Sequence, residues 1–215
     1  MDKLSAVLTG DLIGSTDFSP NWVERSMHIL GQAASCIEQT TPNHTTRFTR
    51  NRGDGWQLHL DHPGDALWVA VYLNASLKAD PQSLATRIAI GIGGVQSFGA
   101  TGLAAASGTA FTHSGRALDG MVAVGQILAL SGTATDDLQR SLLAFIADRI
   151  KGWSREQAEV MIRYLDARSP TQAEVAAEIG ITRQAVGARL QAAGSSLIYQ
   201  ACDAFKDHFD RMGQP

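Results

Sequence analysis

The sequence predicts an α+β protein in which a ferredoxin-like β-α-β-β-α-β domain is followed by an all-α domain. Two observations support this prediction. Short runs of strand-forming residues alternate with segments of helical periodicity over the first part of the chain, in the order of a split β-α-β unit. After the Gly-Thr pair at 132–133 the strand patterns stop, and capped helical segments follow. We therefore expect two domains, residues 1–134 and residues 135–215.

The first domain is predicted to contain strands and helices of ordinary length. The apolar residues of its first helix recur at alternating steps of four and three, which marks one amphipathic face. The Asp-Gly pair at 54–55 tolerates the positive φ of a hairpin turn between two strands. The predicted elements are, in order, strand 4–9, helix 21–39, strands 46–50 and 56–60, helix 66–78, strand 86–92, a mobile surface loop at 93–108, helix 109–118 and a strand or buried segment at 122–130.

The second domain is predicted from its helix starts. Thr135 opens a helix with two acidic residues in the first turn, where carboxylates favour the positive end of the helix dipole. Ser154 with Gln157, and Thr171 with Glu174, have the spacing of capping boxes at the starts of two further helices. The apolar stripe predicted for the helix that begins at Thr135 consists of Leu138, Leu142, Phe145, Ile146 and Ile150.

Composition limits the classes of protein to which the chain can belong. Its 18 basic and 21 acidic residues give a net charge of -3, so any DNA contact must be local. Cys36 and Cys202 lack the spacing of a zinc module or a disulfide framework, which predicts a reducing compartment. Asp11 interrupts any signal-peptide core, and no apolar run reaches the roughly 18 residues of a membrane span. We expect a cytoplasmic protein with no membrane partner.

Residues 171–191 have the spacing of a helix-turn-helix. Ala176 lets two helices approach closely, Gly180 can take a positive φ in the turn, and Thr182 can cap the second helix. The segment TQAEVAAEIGITRQAVGARL resembles the helix-turn-helix of bacterial regulators, which implies DNA as a partner. Two small helices of an interaction module are the alternative. The residues predicted to lie at DNA are Thr182, Arg183, Gln184, Gly187, Ala188 and Arg189, with Arg189 on a phosphate rather than a base.

Two acidic loop residues, Asp11 and Asp54, are predicted to lie close together. In a β-α-β-β order the first strand and the following hairpin are neighbours, so both carboxylates would stand at the same end of the sheet. Oxygen ligands in such a pair suit a divalent cation bound to a nucleotide phosphate. The alternative is turn chemistry, in which Asp11 caps a loop and Asp54 favours the hairpin turn.

Four segments resemble motifs of class III nucleotide cyclases. DLIGST is similar to the first metal-binding motif of these enzymes, and RGDG is similar to their hairpin Gly-Asp. RIAIGIGG is similar to their glycine-ended strand, and GTAFTHSGRAL is similar to their late helix motif. A likeness over nearly the whole chain is to the SatD family, which combines a GD-x-x-Q hairpin, here Gly53 to Gln57, with a C-terminal helix-turn-helix.

The resemblance implies a purine nucleotide and Mg²⁺ or Mn²⁺ as cofactors. Asp11 and Asp54 would be the catalytic metal ligands, and Arg116 would stabilise charge on the phosphates. Arg50 and Thr112, together with Arg116, would contact the nucleotide. Four positions depart from the families. Thr112 replaces an Asn of the cyclases, their purine-selecting Lys aligns near Arg50, and their purine-selecting Asp aligns near Ala105. Gly55 replaces the Glu that usually follows Gly-Asp in SatD proteins.

Three functions follow from these motifs. The first is a DNA-binding transcriptional regulator whose cyclase-like domain binds a nucleotide effector or mediates dimerisation. We expect it to be a homodimer, because a two-fold pair doubles the few phosphate contacts that one helix-turn-helix can make. The second is a metal-dependent nucleotidyl cyclase or related phosphoryl-transfer enzyme with a helical regulatory tail. The third is a dimerisation scaffold in which the two aspartates have no ligand.

Overall fold

A five-stranded sheet with helices on both faces forms the first part of the protein. The computed structural model describes residues 3–14, 20–40, 46–51, 53–99, 102–166 and 170–212. Ser15 and Thr16 of the DLIGST segment and Arg52 of the hairpin lie outside the described residues. The strands are β1 (Ser5–Leu12), β2 (Thr46–Arg50), β3 (Gly55–Leu60), β4 (Thr86–Gly93) and β5 (Leu128–Gly132).

The strand order is β2-β3-β1-β4-β5. β1 pairs antiparallel with both β3 and β4, and β2 pairs antiparallel with β3, as expected for the split β-α-β-β-α-β unit. The α+β class and the first four predicted strands are therefore confirmed. β5 pairs parallel with β4 and extends the sheet by one strand. It begins at Leu128, whereas Val122–Val124 form a 3₁₀ turn, so only the end of the predicted segment 122–130 is strand.

One face of the sheet, which we call the apolar face, carries the main core. Helices α1 (Pro20–Thr40) and α2 (Ala66–Lys78) pack on it, at the positions predicted for them. Leu8, Leu58 and Ile90 lie side by side in neighbouring strands and are fully buried beneath these helices. Because side chains alternate along a strand, the intervening residues Thr9, Gln57 and Ala89 point to the opposite face.

That opposite face, the polar face, is covered by helix α3 (Thr109–Met121). A Cβ on Gly91 would overlap the carbonyl oxygen of Ala110 and the amide nitrogen of Ser114, so α3 can lie this close to β4 only over a glycine. The segment between β4 and α3 was predicted to be a mobile loop. In its described part, Ser97 pairs with Ser107 and Leu103 is buried, so the segment has local structure of its own.

Five helices follow the sheet. Capping boxes begin three of them, and those at Ser154 with Gln157 and at Thr171 with Glu174 were predicted. The first box consists of Asp136 and Gln139, one residue later than the expected start at Thr135. The helices are α4 (Asp137–Lys151), α5 (Arg155–Tyr164), α6 (Gln172–Ile179), α7 (Arg183–Ala193) and α8 (Ser195–Met212).

The five helices contact the sheet part through α2 and the turn that precedes it, and α4 also contacts β5. The indole nitrogen of Trp68 on α2 donates a hydrogen bond to the carbonyl oxygen of Leu165 over 3.1 Å. The ammonium of Lys206 on α8 lies 3.1 Å from the carboxylate of Asp65. The buried apolar residues of both parts form one continuous cluster. Among the helices that the structure describes, none combines the length and apolar composition that a membrane crossing requires.

The apolar stripe predicted for α4 is partly wrong. Ile146 and Ile150 are buried as expected, but Leu138 and Phe145 are 79% and 77% exposed. The buried side of the helix consists of Gln139, Leu143, Ile146, Ala147 and Ile150. The helix therefore has two apolar sides, and only one of them packs on the rest of the chain.

Candidate functional site

A pair of opposite charges lies near the end of β1. Asp11 on β1 faces Arg87 on β4 in the register of the sheet. Each carboxylate oxygen of Asp11 accepts one hydrogen bond from the guanidinium, from Nε and from Nη2, both over 2.7 Å. The two side chains are 23% and 20% exposed. This two-bond geometry is the strongest form of a carboxylate–arginine pair, and it lies at the edge of solvent.

Asp54 belongs to the same site. Asp11 pairs with Gly55 of β3, so the neighbouring residue, Asp54, stands at the same end of the sheet. The pKa of Arg87 is raised above its ordinary value, first by the hydrogen bond to Asp11 and then by the charges of Asp11 and Asp54, against an opposing effect of burial. The charge of Asp54 therefore acts on the same guanidinium that binds Asp11.

The donor set of this site can be compared with the needs of a metal ion. In the ranges that the structure describes, no group of three or more His, Cys, Asp or Glu residues could hold a metal. Mg²⁺ is often held by one or two carboxylates when phosphate and water oxygens complete its shell. Asp11 and Asp54 fit such a cation on the condition that Arg87 leaves Asp11, because both carboxylate oxygens are engaged.

A short polar network lies next to this pair on the polar face. The hydroxyls of Thr9 on β1 and Ser114 on α3 are 2.7 Å apart and buried. Ser114 also donates to the carbonyl oxygen of Phe111, and the amide of Gln57 lies 3.5 Å from the Thr9 hydroxyl. These groups fix α3 over β1 and contain no acid or base, so the charged chemistry of this region belongs to Asp11, Asp54 and Arg87.

Arg50, predicted to contact a nucleotide, lies on the apolar face of the sheet. It pairs in register with Trp56, one position away from the row of Asp11 and Gly55, and its guanidinium lies 2.8 Å from Glu24 of α1. Side chains in successive rows point to opposite faces. The structure therefore gives Arg50 a partner on α1 and does not bring it to Asp11.

Thr112 and Arg116 are exposed and lie one helical turn apart on α3. The Thr112 hydroxyl donates to the carbonyl oxygen of Gly108 within its own chain segment. Ala105 lies in a 3₁₀ turn of the segment before α3 and packs against Gly99. His113 is partly buried, with Nδ1 2.9 Å from the carbonyl oxygen of Ile92.

A second candidate surface is formed by α6 and α7. Gly180 between them has a φ of +73°, which favours glycine, and its amide closes α6 on Ala176. The Thr182 hydroxyl accepts a hydrogen bond from the amide of Ala185, so it caps α7 as predicted. Val186 is fully buried, whereas Arg183 and other residues of the first turns are exposed. The exposed residues on this side are Thr182, Arg183, Gln184 and Ala188.

Two residues predicted to lie at DNA have partners within the protein. Arg189 is half-buried, and its guanidinium lies 3.8 Å from the carboxylate of Glu159 on α5. A Cβ on Gly187 would stand 3.3 Å from the side-chain amide oxygen of Gln172, so this glycine lies at the contact between α6 and α7. The surface of α7 therefore offers Arg183 as its exposed cation.

Sequence reasoning missed Arg87, the residue that engages Asp11. A signal for it was present, because Arg87 is the one charged residue in the strand TRIAIGIG, and a charged side chain in a buried strand usually has a partner. What the sequence could not supply is the identity of that partner, since 76 residues separate Arg87 from Asp11.

The fold and site define an α+β protein with a carboxylate–guanidinium cluster at one end of its sheet. No family model matches the chain, and no curated protein does. The chain is similar to the catalytic core of a rhodopsin-guanylyl cyclase with converted specificity in complex with ATPαS, with 15% identity over 55% of this chain and 72% of that one and a TM-score of 0.40.

It is also similar to a bacterial light-regulated adenylyl cyclase, with 13% identity over 59% of this chain and 74% of that one and a TM-score of 0.41. For the guanylyl cyclase Cya2 the identity is 19% over 54% of this chain and 69% of that one, with a TM-score of 0.37. Similarity at this level does not establish a shared activity.

Proposed function

We propose that the cluster of Asp11, Asp54 and Arg87 binds the phosphates of a nucleotide together with Mg²⁺ or Mn²⁺. The observation that supports this proposal is the pair of Asp11 and Arg87 near the end of β1, with Asp54 close enough for its charge to act on the same guanidinium. Such a cluster contains both kinds of group that a metal–phosphate ligand needs: oxygen ligands for the cation and a planar donor for the phosphate.

Binding at this cluster requires an exchange of partners. Arg87 keeps Asp11 neutralised while no ligand is bound, through two hydrogen bonds of 2.7 Å. When Arg87 turns to a phosphate, it keeps a bidentate anionic partner, and the carboxylates of Asp11 and Asp54 become available to the cation. Each charge stays paired in both states, so the exchange does not leave a half-buried charge without a partner.

Asp54→Asn is the sharper variant for testing this proposal. Asp11→Asn would also break the ion pair with Arg87 and weaken the fold, whereas Asp54 can lose its charge without disturbing those two bonds. Because a ligand that binds the folded state raises its apparent stability, ATP or GTP with Mn²⁺ should raise the melting temperature of the parent protein.

The melting temperature of Asp54→Asn should not respond to the same mixture. Asp207→Asn, which removes an exposed carboxylate from α8, is the matched control and should respond like the parent. A melting temperature of the parent that does not respond to nucleotide with Mn²⁺ would overturn the proposal.

The enzymatic alternative has less support from the residues present. If the chain were a cyclase, Thr112 would stand where an Asn is expected and Ala105 where an Asp would select the purine, and Ala105 has no side-chain hydrogen-bonding group. We therefore expect the purified protein to form little or no cyclic nucleotide from ATP or GTP with Mn²⁺. Robust formation of a cyclic nucleotide would establish the enzyme instead.

A second function, sequence-specific DNA binding by α7, is supported by a separate observation. The glycine turn, the Thr182 cap and the exposed Arg183 and Gln184 at the start of α7 are the features by which a recognition helix enters the major groove. Together the two activities describe a regulator whose DNA binding responds to a nucleotide. Selection of bound sequences from a random DNA pool, with and without ATP and Mn²⁺, tests this combination.

A further inference from the structure

Helices α4 and α8 form an apolar surface that no other part of the described chain covers. The large side chains of Leu138 and Phe145 on α4 are 79% and 77% exposed, and Leu197 on α8 is 67% exposed. Leu142, one turn from Leu138 on α4, is partly exposed as well. We call these four residues the α4–α8 surface. Contiguous apolar surface of this kind usually marks an interaction site.

The two helices run antiparallel, side by side. The side chain of Arg149, near the end of α4, lies against Gly194 at the start of α8. At the other end, Nε2 of His208 on α8 lies 3.0 Å from the carbonyl oxygen of Ala134, just before α4. Leu197 and His208 are eleven residues apart, about three helical turns, so both lie on the side of α8 that faces α4. Leu197 therefore lies on the side of α8 towards α4, the helix that carries Phe145.

The charges along α4 favour a second copy of this helix as the partner. Its first turns carry Asp136, Asp137 and Arg140, which sum to one negative charge, and its last turns carry Asp148, Arg149 and Lys151, which sum to one positive charge. An antiparallel second copy of α4 would place the negative end of each helix against the positive end of the other. The dipoles of the two helices would run in opposite directions, which is also favourable.

The apolar residues of α4 permit a two-fold arrangement. Leu138 and Phe145 lie at equal distances on either side of the midpoint between Ser141 and Leu142. In an antiparallel pair, Leu138 of each copy therefore meets Phe145 of the other, which is the self-complementary contact of a closed dimer. A lipid surface is a poorer match, because the acidic residues Asp136, Asp137 and Asp148 border the stripe.

We propose that the α4–α8 surface is a homodimer interface, in which α4 packs antiparallel against α4 of a second copy. The interface involves none of the residues of the Asp11 cluster, and it leaves the start of α7 available. The dimer interface does not depend on nucleotide binding, so a failure of the nucleotide proposal would not decide the dimer proposal, or the reverse.

Analytical ultracentrifugation of the full chain over a range of concentrations tests this interface. The parent should sediment as a concentration-dependent dimer. Phe145→Glu should raise the dimer dissociation constant at least about 100-fold, because it would bury a charge without a partner. Val124→Glu changes another exposed apolar residue, 65% exposed and outside α4 and α8, and should leave the dissociation constant unchanged. A monomeric parent, or a Phe145→Glu protein that dimerises like the parent, would overturn the proposal.

The antiparallel orientation has its own test. Asp137→Lys should raise the dissociation constant of the dimer. Adding Arg149→Asp should lower it again, because the signs of the charges at the two ends of α4 are then exchanged and opposite charges still meet. Ser141→Cys should form a disulfide between copies under mild oxidation, with the parent cysteines as background. Absence of both the charge rescue and the cross-link would contradict an antiparallel α4 pair.

Discussion

Asp11 and Arg87 face each other across β1 and β4 and are joined by two hydrogen bonds of 2.7 Å, although 76 residues separate them in the chain. The pair lies at the end of the sheet next to Asp54. Because Arg87 engages both carboxylate oxygens of Asp11, it competes with any cation that could bind there. This relationship determines how the proposed nucleotide site can be tested.

Arg87→Gln should increase the affinity of the protein for Mn²⁺ in the absence of nucleotide, because it frees both oxygens of Asp11. The same change should lower the free energy of unfolding by about 1.5–3 kcal/mol, the usual range for hydrogen bonds to a charged group. Titration followed by the electron paramagnetic resonance of free Mn²⁺ measures the first effect, and urea unfolding the second. An unchanged Mn²⁺ affinity would show that Arg87 does not control access to Asp11.

Arg183→Ala should weaken binding to the selected DNA site by about 1–3 kcal/mol and relax the base preference at one position, since Arg can make two hydrogen bonds to guanine. Lys3→Ala removes an equal charge from an exposed side chain of the sheet part and is the matched control. Fluorescence anisotropy on specific and scrambled duplexes measures both. Equal losses for the two variants would indicate general electrostatics instead of base recognition.

His59 should make stability depend on pH. It is 2% exposed on β3, and neither ring nitrogen has a hydrogen-bond partner among the described residues. Burial lowers the pKa of His59 from 6.5 to about 4. The unfolded chain therefore binds a proton that the folded protein excludes between these values, so stability is complete above pH 6.5 and is lost as the pH falls towards 4.

The loss between pH 7 and pH 5 should be about 2 kcal/mol. His59→Leu retains an apolar side chain at this position and removes the titrating group. Urea unfolding of both proteins at the two pH values isolates the contribution, because other titrating groups affect them alike. If the parent and His59→Leu lose the same stability, the ring is not buried in its neutral form.

Gly91→Ala should destabilise the protein by about 1–3 kcal/mol or more, because the new methyl group would overlap the backbone of α3 at Ala110 and Ser114. Gly115→Ala, within α3, is the matched control: no other atom lies within 4 Å of the new Cβ. This second change should stabilise the protein by about 0.5–1 kcal/mol through helix propensity. Thermal or urea unfolding distinguishes the two signs, and destabilisation of both variants alike would argue against close packing of α3 on β4.

Elements of the fold were predictable where local signals specify them. The helix at Ala66–Lys78 follows from an apolar segment that is too long for an ordinary strand. The strands on either side of the Asp-Gly turn follow from turn chemistry, and the Thr171–Glu174 capping box from a four-residue motif. The packing of α4 was not predictable in this way. Periodicity shows which residues share a side of a helix, but tertiary contacts decided that Leu143 is buried and Phe145 exposed.

The candidate site was predictable in the same partial sense. The proximity of Asp11 and Asp54 follows from strand order, which the sequence indicates through its β-α-β-β pattern. The partners of Arg50 and Arg189 do not follow from strand order. They are Glu24 and Glu159, which lie on helices whose rotation is set by packing. Long-range ion pairs of this kind require the three-dimensional register.

Anomalous diffraction at the manganese edge, from crystals grown with Mn²⁺ and a non-hydrolysable ATP analogue, is the most direct test of the proposed nucleotide site at Asp11, Asp54 and Arg87. We expect an anomalous peak between the carboxylates of Asp11 and Asp54, with the guanidinium of Arg87 turned from Asp11 to a phosphate. An Asp11–Arg87 pair that remains intact in the presence of bound nucleotide, with manganese elsewhere or absent, would contradict it.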